Sequence, residues 1–162
     1  MSTTPAVETH TADPAAADTP AARTAARLRA AVEQGDHAAI VGLFRDDIVF
    51  HSPVKFRPFE GIATVGALFA VLMRTFEDFR YVGDLTGDLE GDADSRVLVF
   101  RARVGDKQIH GVDMLQFDDE GRIGTFTVMV RPQSAAMALS EAVFAGLVAD
   151  GVVPAPQAGG QQ

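Results

Sequence analysis

The sequence contains no cysteine and no asparagine. The first absence excludes a disulfide scaffold, a thiolate zinc site and a thiol nucleophile. The second leaves N-glycosylation without an acceptor. Positive charge is scarce, with 14 Lys and Arg against 22 Asp and Glu, for a formal charge of -8. Nucleic-acid binding requires a basic footprint that neutralises phosphates, so no nucleic-acid partner is expected. No apolar run approaches the roughly 20 residues that span a bilayer, and no membrane association is expected. Residues 1–19 carry Glu8, Asp13 and Asp18 but no Lys or Arg. They lack the positive start and the apolar stretch of about 7–15 residues of a secretory signal, which makes the cytoplasm the expected location.

The 162 residues are 47% hydrophobic and 22% charged. That is the composition and length of one globular domain, able to build a core without a covalent or metal staple. Residues 1–19 and 151–162 are rich in Ala, Thr, Pro, Gly and Gln and have little to bury. They are expected to be disordered tails around a single domain at 20–150. Thr19 and Pro20 suit the cap and first position of a helix in which Ala21, Ala25, Leu28 and Val32 share a face. Gly35 stops it, and Asp36 caps a second short helix presenting Ile40, Leu43 and Phe44. Residues 48–52 alternate as a short strand, 53–61 read as a loop, and Gly61 precedes a helix with Ile62, Val65, Leu68, Phe69, Leu72, Met73 and Phe76 as its apolar stripe.

After that helix the hydrophobic period falls from 3.6 to 2. Strands are expected at 78–89, 96–104, 107–117 and 122–131, with turns at Gly105–Asp106 and Asp118–Gly121 and a final helix at 133–148. The order α-α-β-α-β-β-β-β-α describes an α+β domain, helices packed on one face of a curved antiparallel sheet.

Strand parity locates the candidate chemistry. In 107–117, Asp113 shares a face with Ile109, Gly111, Leu115 and Phe117. A carboxyl in that row is costly as an anion and has a raised pKa unless a partner answers it. It is either a proton-transfer group lining a pocket or a buried acid satisfied by backbone donors or an arginine. Ser52 shares a face with Ile48 and Phe50 and should project into the same interior. His51 points the other way, to the surface or a subunit contact, unless Pro53 introduces a bulge that turns it inward. No metal site is expected, because His110 and Asp113 lie three apart on one strand and face opposite ways. The acidic run Asp84, Asp88, Glu90, Asp92 and Asp94 places Ala93 and Val99 where a calcium loop needs glycine and glutamate, and reads as a solvated turn. The opposite sheet face, with Val97, Val99, Val112 and Met114 interspersed by Arg101, Arg103 and His110, suits either a homodimer surface or a solvated sheet.

The segments RLRAAVEQGDHAAIVGLFRDDIVFHSP, EGIATVGALF and GVDMLQFDDEGRI resemble the nuclear transport factor 2-like superfamily, and within it the SnoaL-like polyketide cyclases and ketosteroid isomerase, over about 23–132. The resemblance implies a cone-shaped cavity between helices and concave sheet, and a homodimer through the convex sheet. Ketosteroid isomerases use a carboxylate base with a tyrosine and a protonated aspartic acid. By resemblance the protonated acid falls on Asp113, the base on Ser52, which is no carboxylate, and the tyrosine on Leu28, which offers no donor. Epoxide hydrolases of this fold need two interior aspartates, and parity places only Asp113 there. The cyclases use one aspartate with histidines nearby, with which Asp113 and His51 are compatible.

The expected function is binding of a small hydrophobic molecule in a pocket walled by Leu28, Phe44, Phe50, Ser52, Leu68, Phe69, Leu115, Phe126, Val128 and Val130. Catalysis there would be isomerisation, cyclisation or dehydration without a cofactor, Asp113 acting as acid or base beside His51. The alternative is a non-catalytic ligand-binding or dimeric interaction module; a third reading has the helix 133–148 plugging the pocket or docking a partner.

Overall fold

A computed structural model describes residues 18–156. The tails expected at 1–19 and 151–162 fall outside the described residues for 1–17 and 157–162. Helix α1 spans Pro20–Gln34 and α2 His37–Val41, followed by strands β1 (Phe44–His51) and β2 (Phe59–Glu60) and helix α3 (Ile62–Thr75). Strands β3 (Glu77–Leu89), β4 (Asp92–Val104), β5 (Lys107–Phe117) and β6 (Ile123–Arg131) follow, and α4 (Gln133–Ala149) closes the fold.

The helix boundaries follow from local chemistry. Thr19 Oγ1 accepts from the Ala22 N–H at 3.1 Å, satisfying one of the donors that every helix start leaves unpaired. Gly35 ends α1 at φ 67°, a conformation glycine adopts without steric cost. Asp36 Oδ1 then caps α2 through the Ala39 N–H at 3.0 Å.

The six strands form one sheet in the order β2-β1-β6-β5-β4-β3. Its β3 to β6 portion is the expected antiparallel meander. The sheet as a whole is mixed, because β1 pairs in parallel with β6. Strand β5 occupies one side of β6, and β1 covers the other. Strand β1 begins at Phe44, ahead of the alternating stretch 48–52, because a register shift between Phe44 and Val49 breaks the alternation. Strand β2, in the segment read as a loop, is too short to show a period.

The acidic stretch from Asp84 to Asp94 is not a solvated turn. Asp84 and Asp88 lie on β3, Asp92 and Asp94 on β4, and only Glu90 and Gly91 turn the chain, both at positive φ. Two of the acids serve the sheet: Asp84 holds Arg96 at 3.2 Å, and Asp92 accepts from the Phe117 N–H at 3.2 Å.

Inner-face side chains Leu98, Phe100, Ala102, Ile109, Leu115, Phe126 and Val128 are buried beneath α1, α3 and α4, all of which contact the sheet. The chain stays on this core past 150, since Val153 packs against it and the Val152 N–H donates to Leu147 O at 2.9 Å. Among the described residues no helix is long and apolar enough to cross a membrane.

Candidate functional site

Asp113 sits in mid-β5 between Leu98 on β4 and Val128 on β6 and is 4% exposed. Its partner is neither a backbone donor nor an arginine. Tyr81, on β3, donates its hydroxyl to Asp113 Oδ2 at 2.8 Å. Burial pushes the Asp113 carboxyl up to about 7, and the tyrosine hydrogen bond, which favours the anion, opposes that rise. Burial, and then the neighbouring Asp113 charge, drive the Tyr81 hydroxyl well above its ordinary value, so it stays a donor.

The tyrosine reaches across β4 because the intervening surface is shaped for it. Tyr81 stands opposite Phe100, and Phe100 opposite Gly111 on β5. A Cβ on residue 111 would lie 2.3 Å from Phe100 Cζ, so glycine there lets the ring lie against β5. Phe79 stacks on Phe100 with centroids 4.9 Å apart and meets the Tyr81 ring edge-on at 5.0 Å. From α1, the Arg29 guanidinium stands 5.9 Å from the Tyr81 centroid.

The pair opens into a cavity of about 400 Å³, at the lower end of small-molecule sites. Phe100, Phe126 and Val128 supply the sheet wall, Leu68, Phe69, Leu72 and Met73 the α3 wall, and Leu139, Val143, Phe144 and Leu147 the α4 wall. Ser52 and Lys55 near the end of β1, Ser140 on α4, and the Tyr81–Asp113 pair are the polar side chains on this lining. Ser52 Oγ accepts from the Val54 N–H at 3.2 Å.

Phe50, Ser52, Leu68, Phe69, Asp113, Phe126 and Val128 are thus brought together on the cavity wall. Leu28, Phe44 and Leu115 lie in the packed core, and Val130 is half-buried against it; none of the four is on the wall. The register stays regular from Val49 to His51, with His51 opposite Thr127 on the outer sheet face. Pro53 therefore does not turn His51 inward, and the histidine is not brought to Asp113.

Tyr81 is the polar cavity residue that sequence reasoning missed. Its signal was the parity of Phe79 and Tyr81, hidden by the glycines of β3 and by register shifts at Glu77/Arg80 and Tyr81/Gly83. The α4 wall carried a plainer signal, a helix apolar on several sides, of which Leu139 and Leu147 are buried while Met137 stays exposed.

Residues 25–124 match the family of the SnoaL-like domain. The chain belongs to this family. A steroid delta-isomerase from Pseudomonas aeruginosa is 36% identical, with a TM-score of 0.76 over 84% of this chain and 97% of that one. A cystatin-like-fold protein from Silicibacter pomeroyi is 29% identical, with a TM-score of 0.72 over 80% of this chain and 88% of that one. The epoxide hydrolase/cyclase-like enzyme SalBIII, of pyran ring formation in the polyether salinomycin, shares 20% identity at a TM-score of 0.57, covering 70% of this chain and 91% of that one. That last likeness is one of fold alone. No curated protein sequence matches the chain. As a SnoaL-like domain it has the nuclear transport factor 2-like cone, in which Tyr81 on β3 bonds Asp113 while Leu28 on α1 lies in the core.

Proposed function

We propose that this SnoaL-like domain is a cofactor-independent proton-transfer enzyme acting on a small apolar carbonyl compound, by isomerisation, cyclisation or dehydration. The observation that carries this reading is the buried Tyr81–Asp113 hydrogen bond on the wall of an apolar cavity. Proton transfer is fastest when the catalytic group titrates near the working pH, and burial brings the Asp113 carboxyl to about 7. As the anion, Asp113 removes a proton from carbon next to the substrate carbonyl, and Tyr81 holds that anion in place. The C–H electron pair moves into the carbonyl system, and the Ser52 hydroxyl donates to the resulting oxygen anion. Reprotonation by the neutral Asp113 at a second carbon completes an isomerisation.

The unit we infer is a homodimer. The outer sheet face supports this, with Val82, Leu85 and Met129 more than half exposed in a field that includes Val97, Val99, Val112 and Met114.

The reading is tested with a β,γ-unsaturated ketosteroid, the substrate class suggested by the delta-isomerase relative, following the absorbance of the conjugated product. Turnover by the native protein, lost in Asp113→Asn with binding retained, supports it. Equal binding by both proteins with no turnover, for this and other enolisable ketones, points instead to a non-catalytic ligand-binding module.

A further inference from the structure

Four basic or titratable side chains cross the outer face of the sheet in a single row. Arg80 on β3 stands opposite Arg101 on β4, Arg101 opposite His110 on β5, and His110 opposite Arg131 on β6. With strands about 4.8 Å apart, the row is roughly 14 Å long. Like charges directly opposite one another destabilise a sheet, so such a row calls for something to offset it. Among the described residues of one protomer no carboxylate pairs with Arg80, Arg101 or Arg131. By contrast Arg23, Arg29, Arg45, Arg74, Arg103 and Arg122 each reach one. A concavity of about 410 Å³ lies on this face, bordered by the row together with Lys107 and Ser134. Asp106 is the acid on its rim, and it holds Lys107 at 3.2 Å.

We propose that this concavity binds a compact oxyanion of the phosphate class. Guanidinium groups present forked N–H donors that match a tetrahedral oxyanion, and converging cations supply the charge to hold a dianion. The positive field is local. One row further out, Arg103 is already neutralised by Glu77 at 2.7 Å and Asp78 at 2.6 Å. A patch so confined, on a chain of charge -8, suits a small anion and not the extended backbone of a nucleic acid. Helix α4 begins at the same place, with Pro132 and Ser134 on the border, and adds the positive end of its dipole.

The site lies on the face of the sheet opposite Asp113, so it stands or falls independently of the proton-transfer reading; it borders the apolar row Val99, Val112 and Met129 of the inferred dimer face and needs its own concavity open in the dimer. His110 serves as its reporter. Partial burial, then the charges of Arg101 and Arg131, hold that imidazole below its ordinary pKa. Arg80, Lys107 and Asp106 also border it, and Asp106 is engaged by Lys107. A dianion seated among them reverses the balance and raises the histidine pKa.

The test uses the full chain with inorganic phosphate against chloride at equal ionic strength, read by calorimetry, by thermal unfolding and by the NMR titration of His110. Phosphate is expected to bind, to raise the unfolding temperature and to move the His110 titration upward. The double variant Arg101→Gln, Arg131→Gln is expected to weaken phosphate binding at least about tenfold and, with repulsion relieved, to be no less stable than the native protein in chloride. Competition by glycerol phosphate separates a phosphate monoester from free phosphate as the ligand, and binding of either supports the site. An equal response to chloride, phosphate binding unchanged in the double variant, or single-stranded DNA bound more tightly than phosphate would each overturn it.

Discussion

At the scale of the residue, the proposed function rests on how one hydrogen bond and one low-dielectric pocket divide the titration of Asp113. Burial favours the neutral acid and the Tyr81 hydroxyl favours the anion. Removing the donor with Tyr81→Phe is therefore expected to move the carboxyl further above about 7. The rising limb of the activity profile should move to higher pH with it, and the rate at neutral pH should fall about 10- to 100-fold. A rate loss without that displacement would assign Tyr81 a packing role only. The same carboxyl sets a stability trend. Its folded pKa lies above its unfolded one, so the folded state holds the proton more tightly between roughly pH 4 and pH 7, and stability falls as pH rises through that window. In Asp113→Asn this fall is absent, and urea unfolding at about pH 8 should show the variant gaining on the native protein by on the order of 4 kcal/mol relative to the comparison at about pH 4. Parallel stability profiles for the two proteins would contradict a raised carboxyl.

At the scale of the element, close approaches set the width of the cavity. Gly111 lets Phe100 lie on β5, and Gly146 brings α4 onto α3, where a Cβ would lie 2.5 Å from Val71 Cγ1. Gly111→Ala is expected to displace the Phe100 ring into the cavity, costing about 1–3 kcal/mol of stability and weakening ligand binding; calorimetry on the native protein and the variant checks both effects. Much of the fold was legible because helix caps and strand parity are local: Thr19, Gly35 and Asp36 mark helix ends, and the alternation around Asp113 places it inward. What was not legible is set by contacts distant in the chain. The parallel pairing of β1 with β6, the core positions of Leu28, Phe44 and Leu115, and the Tyr81–Asp113 bond all join residues far apart in sequence. The resemblance drew attention to Leu28 as the tyrosine position, whereas the phenol comes from a strand whose glycines and register shifts obscured its faces.

At the scale of the whole molecule, the sheet separates two environments. Its concave face carries the cavity and the hydrogen-bonded Tyr81–Asp113 pair. Its outer face carries apolar rows, such as Val99, Val112 and Met129 side by side, ending at the cationic row through Arg101. We expect sedimentation to give a dimer, and Val112→Glu to give a monomer that keeps the native titration of Asp113; a native monomer would remove the apolar rows as an interface. The proton-transfer reading depends on the Asp113 carboxyl lying in apolar surroundings beside the Tyr81 hydroxyl. Carbon-13 NMR of the Asp113 side-chain carboxyl, followed through a pH titration of the ligand-free protein, measures that directly. A midpoint near 7, moved upward by Tyr81→Phe, is the expected result. A midpoint in the ordinary range of a solvated aspartate, indifferent to the tyrosine, would contradict it.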